Sequence, residues 1–110
     1  MELDKDNWER LFNAEIEQAF AARSIGKEGM ARVCARRAAN ILIQQYFNLC
    51  NIPSTKNAMK NLTFLQSYLN PSHPAQPLIS NLIRRVDENF TLPNDIDLIR
   101  DVLKLKELLL

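Results

Sequence analysis

Apolar residues recur at helical spacing along almost the whole chain, and no run alternates with the period of two that a half-buried strand requires. Trp8, Leu11, Phe12, Ile16, Ala19 and Phe20 predict an amphipathic first helix over Asp6 to Arg23, with Asp4 or Asp6 as its N-cap. The only two glycines, Gly26 and Gly29, place a turn directly after it. So short a connection makes the first two helices antiparallel neighbours. Gly29 to Asn51 reads as a long second helix that is apolar almost all round. Met30, Cys34, Ala38, Ile41 and Leu42 share one side of it, while Ile43 and Phe47 point nearly opposite, beside Arg32 and Arg36. A polar stripe of Arg37, Asn40, Gln44 and Asn48 runs between these two zones. Ala31, Ala35, Ala38 and Ala39 are small enough to let another helix approach closely. Such a helix has to be enclosed by other helices or by a second subunit.

Pro53 is expected to stop the second helix, and Ser54 or Thr55 to cap a third that carries Ala58, Leu62, Leu65 and Leu69, with Phe64 and Tyr68 near that face. Asn70 and Pro71 end it. The stretch from Asn70 to Pro77 holds three prolines and reads as a rigid loop, with Pro77 in the first turn of a fourth helix. Leu78, Ile79, Leu82, Ile83, Val86 and Phe90 form the stripe of that helix, opposite Arg84, Asp87 and Glu88, and Pro93 breaks it. Asn94 or Asp95 is then the expected cap of a fifth helix bearing Ile96, Ile99, Val102, Leu103 and Leu109. The expectation is an all-α fold, an up-and-down bundle of four or five helices forming one domain over residues 1–110.

The 14 basic and 13 acidic residues nearly cancel, so no whole-molecule field attracts nucleic acid or an anionic membrane. The charges are nevertheless segregated. Met1 to Glu17 carries six acids against two bases, and Arg23 to Arg37 carries five bases against Glu28 alone. Cys34 and Cys50 fall on one helix, roughly 24 Å apart at 1.5 Å per residue, which is beyond disulfide reach and implies free thiols in a reducing compartment. The acidic, polar start MELDKDNWER is unlike a secretory leader, and no run has the roughly 18 apolar residues of a membrane span. A cytoplasmic protein is expected, with no membrane partner.

Candidate chemistry is sparse. His73 lies among Pro71, Ser72 and Pro74 with no cysteine or carboxylate cluster nearby, so it is read as a solvated loop residue rather than a metal ligand or catalyst. Both cysteines read as small apolar residues. Arg32 and Arg36 stand one turn apart and, with Arg37, could present guanidiniums to phosphate oxygens of a nucleic acid or nucleotide. The favoured reading is structural pairing with Glu15, Glu17 or Glu28, because neither a glycine-rich phosphate loop nor interleaved surface aromatics are evident. Asp95 and Asp97 fit the first turn of a helix, and together with Asp101 they lack a calcium-loop pattern. No catalytic residue, metal site or cofactor site is assigned.

The order ARVCARRAANILIQQYF between Met30 and Leu49 resembles the second-helix signature of HEPN domains. That resemblance implies a helical bundle of about this length, an association with RNA, dimeric assembly and, in some members, pairing with a minimal nucleotidyltransferase. Active members carry an arginine followed four to six residues on by a histidine. Here no arginine lies between Arg37 and His73, and the nearest spacing runs from Arg84 to Asn89, whose amide cannot act as a general acid or base. The expectation is therefore a non-catalytic HEPN-like domain that works through protein association, most simply as a homodimer. Ile43 and Phe47 are its expected interface residues, because they point away from the Met30, Cys34, Ala38 and Ile41 face. The alternative is a domain that binds nucleic-acid phosphate through Arg32, Arg36 and Arg37.

Overall fold

The structure is a computed structural model and describes residues 7–84 and 96–110. Among these residues it is all-helical: α1 (Asn7–Ser24), α2 (Glu28–Leu49), α3 (Ala58–Tyr68), α4 (Gln76–Ile83) and α5 (Leu98–Leu109). The N-caps expected at Asp4 or Asp6, the Val86 and Phe90 end of the fourth stripe, and Pro93 lie outside the described residues.

Two helix ends are set by the same device. Gly26 has a positive φ of 78°, and beside it the N–H of Lys27 reaches Ala22 O at 2.8 Å while that of Gly26 reaches Arg23 O at 3.0 Å. Asn51, with φ 58°, does the same for α2: the N–H of Ile52 reaches Phe47 O at 2.8 Å and that of Asn51 reaches Asn48 O at 3.3 Å. This is the Schellman arrangement, which satisfies the last carbonyls through one residue in the left-handed region. Asparagine tolerates that region because its short polar side chain bonds locally. Thus α2 stops at Leu49, before Pro53 can act.

Two caps differ from expectation. Asn57, not Ser54 or Thr55, caps α3, its side chain accepting from Lys60 N at 3.0 Å. Thr55 is occupied elsewhere. Its N–H donates to Asn61 Oδ1 at 3.1 Å and its carbonyl accepts from Asn61 Nδ2 at 2.8 Å. Asp97, rather than Asn94 or Asp95, caps α5: the backbone there is extended, and Oδ1 accepts from Ile99 N and Arg100 N.

α2 is the centre of the molecule and packs against α1, α3 and α5. Its buried residues are Ala31, Cys34, Ala35, Ala38, Ala39, Leu42, Ile43 and Phe47. At 100° per residue they span an arc of roughly 220°. The two apolar zones of the sequence therefore join through Ala35 and Ala39 into one surface, and Met30, expected inside, is exposed. Against this arc α1 presents Phe12, Ile16, Ala19 and Ala22, α3 presents Leu62 and Leu65, and α5 presents Leu98, Ile99, Val102 and Leu105. α4 adds Ile79 and Leu82 to the same core through α3 and α5.

Polar contacts fix the order of the pieces. Asn61 is almost fully buried, and besides holding Thr55 it donates to Asn40 Oδ1 at 2.7 Å. Gln44 donates to Thr55 O at 2.8 Å. The polar stripe on α2 thus binds the loop that folds back along it. Because Asn61 sits beside Asn40 and Phe64 beside Phe47, α3 then sets off in the same general sense as α2. At the other side of the molecule Arg23 donates to both Glu28 carboxylate oxygens, at 2.8 and 3.0 Å, and to both of Asp97, at 3.1 and 3.2 Å. One guanidinium thereby joins the C-terminal end of α1 to the N-terminal ends of α2 and α5, with each charge placed to offset the adjoining helix dipole.

The Arg23 bonds hold the Glu28 carboxyl below its usual range. For Asp97, burial pulls upward, but Arg23 and the N–H groups of Arg100 and Ile99 outweigh it and the net shift is downward. Carboxylates with depressed folded pKa values contribute stability above their unfolded values of about 4 and lose it as pH falls through the folded ones. The denaturation midpoint in urea is therefore expected to fall as pH drops below about 4, and less steeply in Arg23→Gln. The three groups are about half to two-thirds shielded, so added salt should shrink this difference. Asn61→Ala leaves Thr55 and Asn40 without their buried partner and is expected to cost about 2–4 kcal/mol of unfolding free energy, read by the same denaturation.

Candidate binding face

The residues singled out from the sequence do not gather into one site. Arg36 is half-buried and directed at the end of α4, where Nε donates to Leu82 O at 3.0 Å and Nη2 to Arg84 O at 2.8 Å. It serves the last carbonyls of a neighbouring helix, a role open to a cation at a helix C-terminus. Burial, and then the adjacent Arg32 guanidinium, hold its pKa below the usual arginine value. The bonds of Arg36 run to these carbonyls and not to Glu15, Glu17 or Glu28, and the Glu28 carboxylate is bound by Arg23. Arg32 is half-buried and engaged, whereas Arg37 is exposed.

Ile43 and Phe47 are the clearest correction. They are 0% and 1% exposed within a single chain, so neither can form a surface patch. The physical reason is that α3 returns over this side of α2, and the Phe64 ring meets Phe47 edge-on with centroids 5.5 Å apart. Cover that the sequence assigned to a second subunit is supplied by the chain itself.

That cover exposes other rings. Phe64 and Tyr68 are each 50% exposed, lie one turn apart on α3, and are stacked at 6.3 Å with an interplanar angle of 18°. Lys60 precedes Phe64 by one turn on the same side of the helix. Tyr46 adjoins them from α2: burial, the thiol of exposed Cys50 and the Tyr68 phenol together push its phenol pKa up. Cys50 is thus on the surface, contrary to the expectation of a small buried residue, while Cys34 is buried as expected.

The electrostatic setting of these rings is legible in the sequence once the window is long enough. From Gly29 to Val86 there is no aspartate or glutamate, but there are Arg32, Arg36, Arg37, Lys56, Lys60, Arg84 and Arg85. Every acid of the chain falls before or after that stretch, which holds α3, α4 and all of α2 beyond its first residue, Glu28. Short windows ending at Arg37 conceal this, because the middle of the chain is polar rather than densely basic. The notion that no surface aromatics accompany the bases is also corrected. Phe64 and Tyr68 read as part of an apolar stripe, and only the crossing of α3 over α2 turns them outward.

His73 and Asp101 have structural roles. His73 Nδ1 accepts from Ala75 N at 3.0 Å and so shapes the turn before α4. Asp101 is buried, with Asn81 Nδ2 donating to Oδ2 at 3.0 Å, and burial, only partly offset by that bond, pushes its carboxyl pKa up. Asp97 is the α5 cap, and among the described residues no group of three or more His, Cys, Asp or Glu is placed to hold a metal ion. None of the described helices is long and apolar enough to cross a membrane. Comparison with protein-family models, curated proteins and solved structures returns no match for this chain.

Arg36→Ala is expected to lower stability by about 1–3 kcal/mol through the loss of two charge-assisted bonds to α4, with Arg36→Lys restoring part of it, measured by thermal or urea unfolding. Asp101→Asn keeps an acceptor for Asn81 without burying a charge and is expected to raise the melting temperature at pH 7. The sign follows from the raised carboxyl pKa, because the charged form is the disfavoured one in the folded state, and the gain should vanish as acid protonates Asp101 itself.

Proposed function

We propose that this chain is a binding domain that takes up single-stranded nucleic acid on the exposed face of α3. The observation that carries this reading is the stacked, half-exposed pair Phe64 and Tyr68 on a part of the chain that bears only positive charge. Proteins that hold single strands without strong sequence preference combine aromatic platforms for the bases with cations that follow the backbone. Here Lys60 continues the line of the two rings along α3, Lys56 lies in the loop before that helix, and Arg37 is exposed on α2. The absence of carboxylates over this stretch matters as much as the cations, since even a few acids would repel the phosphates that the rings bring close. The resemblance of Met30 to Leu49 to HEPN domains is in keeping with an RNA ligand. It concerns a different helix from the rings and is not needed for the proposal.

Protein association, the other expectation, loses the surface assigned to it because Ile43 and Phe47 are enclosed. The arginine cluster likewise reduces to Arg37 as its exposed member.

Fluorescence anisotropy with a labelled single-stranded RNA or DNA of about a dozen nucleotides tests the proposal. Three phosphate contacts, from Arg37, Lys56 and Lys60, give an expected slope of log affinity against log salt of about −2. Tyr68→Ala is expected to weaken binding by roughly 5- to 150-fold with helicity unchanged, as the loss of one base–aromatic stack worth about 1–3 kcal/mol. Phe64→Leu keeps an apolar cover over Phe47 while removing the ring, and should weaken binding without destabilising the fold. Affinity that is salt-insensitive, or indifferent to both substitutions, refutes the assignment.

A further inference from the structure

The spacing of the two rings on α3 restricts what they can hold. Lys60, Phe64 and Tyr68 follow one another at four-residue intervals, which at 1.5 Å per residue sets a cation and two rings about 6 Å apart along one line of the helix. The planes of Phe64 and Tyr68 differ by 18° and their centroids lie 6.3 Å apart. Bases that remain stacked on one another stand about 3.4 Å apart, little more than half that distance. Two neighbouring bases can therefore use both rings only by separating, one base to each ring. A base that enters between the rings instead loses its own stack on both sides. Either way the strand has to open at this step.

The cost of opening depends on the bases far more than the gain at the rings does. Phenylalanine and tyrosine each present one six-membered ring, so the second ring of a purine overhangs it and adds little to what a pyrimidine already gains. Adenine runs hold their own stack, whereas uridine runs scarcely stack. In a duplex a stacked step is worth on the order of tenfold in an equilibrium constant, which sets the scale of the difference. Readout of base edges has less to work with. Thr63 and Ser67, exposed on α3 beside the rings, donate their hydroxyl protons to carbonyls of their own helix, to Met59 O at 2.8 Å and Thr63 O at 3.3 Å, so neither offers a donor to a base.

We infer that the α3 face selects strands that unstack at low cost, uridine- or thymidine-rich before adenine-rich. This rests on the reading of the face as a single-strand site and adds which strands it takes. Preferences of this origin follow stacking strength and backbone flexibility rather than hydrogen-bonded recognition. The cations do not alter the order, because Arg37, Lys56 and Lys60 meet phosphates, which every sequence carries alike. Duplexes are excluded by the same geometry, since their bases are paired, stacked and out of reach of the rings.

Anisotropy titrations of the full chain with labelled homopolymers of about twelve nucleotides, at one fixed salt concentration, test this. Oligouridine is expected to bind roughly 3- to 10-fold tighter than oligoadenosine, with oligocytidine between them, and oligothymidine to exceed oligodeoxyadenosine in the same sense. In Tyr68→Ala, and separately in Phe64→Leu, the remaining ring can stack on the end of an unopened strand, so the preference should shrink toward equality while overall affinity falls. Oligoadenosine that binds as tightly as oligouridine overturns the inference, as does a preference that stays undiminished in both variants. Binding without any order among the homopolymers, yet weakened by both substitutions, refutes the preference alone and leaves the single-strand site standing. If no homopolymer binds, or if binding ignores both substitutions, the single-strand site itself falls and the preference with it.

Discussion

Everything in this fold depends on enclosing α2. A helix with buried residues over roughly 220° of its circumference cannot be covered by one partner, since a single packed helix shields a stripe of about 100°. The chain meets this demand in two ways. Alanines at positions 31, 35, 38 and 39, together with Ala19 and Ala22 of α1, are all buried and allow α1 and α2 to lie close. On the remaining arc α3 and α5 each cover a part, and α4 closes the core behind them through contacts with both.

The same demand accounts for the placement of the polar side chains. A loop that must fold back along α2 would bury backbone groups without partners, and Asn40, Gln44 and Asn61 supply them at Thr55. The end of α4 abuts α2, and Arg36 satisfies its carbonyls. The starts of α2 and α5 meet the end of α1, and Arg23 neutralises both their carboxylates. Each of these residues could be read as chemistry in isolation. In place, each is a solution to a problem that helix packing creates.

What is left after packing is a molecule with two unlike sides. From Gly29 through α4 the chain carries cations without acids and shows the stacked rings of Phe64 and Tyr68. α1 and α5 carry acids among their own bases and expose Phe20, Leu103 and Leu110. A near-zero net charge therefore conceals a segregated surface, because the sum over a chain says nothing about which helices lie together.

The helices and their apolar stripes were legible in the sequence, since the 3.6-residue period and the glycines and prolines that interrupt it are local properties. Local reasoning also recovered the close approach of α1 and α2 and the buried state of Cys34. It failed wherever the decision belonged to a distant segment. Ile43 and Phe47 looked surplus because their cover comes from α3, after a loop that doubles back. Arg36 looked available because the carbonyls it binds are more than forty positions away. Phe64 and Tyr68 stood near the apolar face of the third helix without being recognised as surface rings, because a stripe records which residues share a face of a helix but not how far the neighbouring helix extends over it. Periodicity fixes the faces of each helix, and only the packing of one helix on another settles which part of a face meets protein and which part meets water.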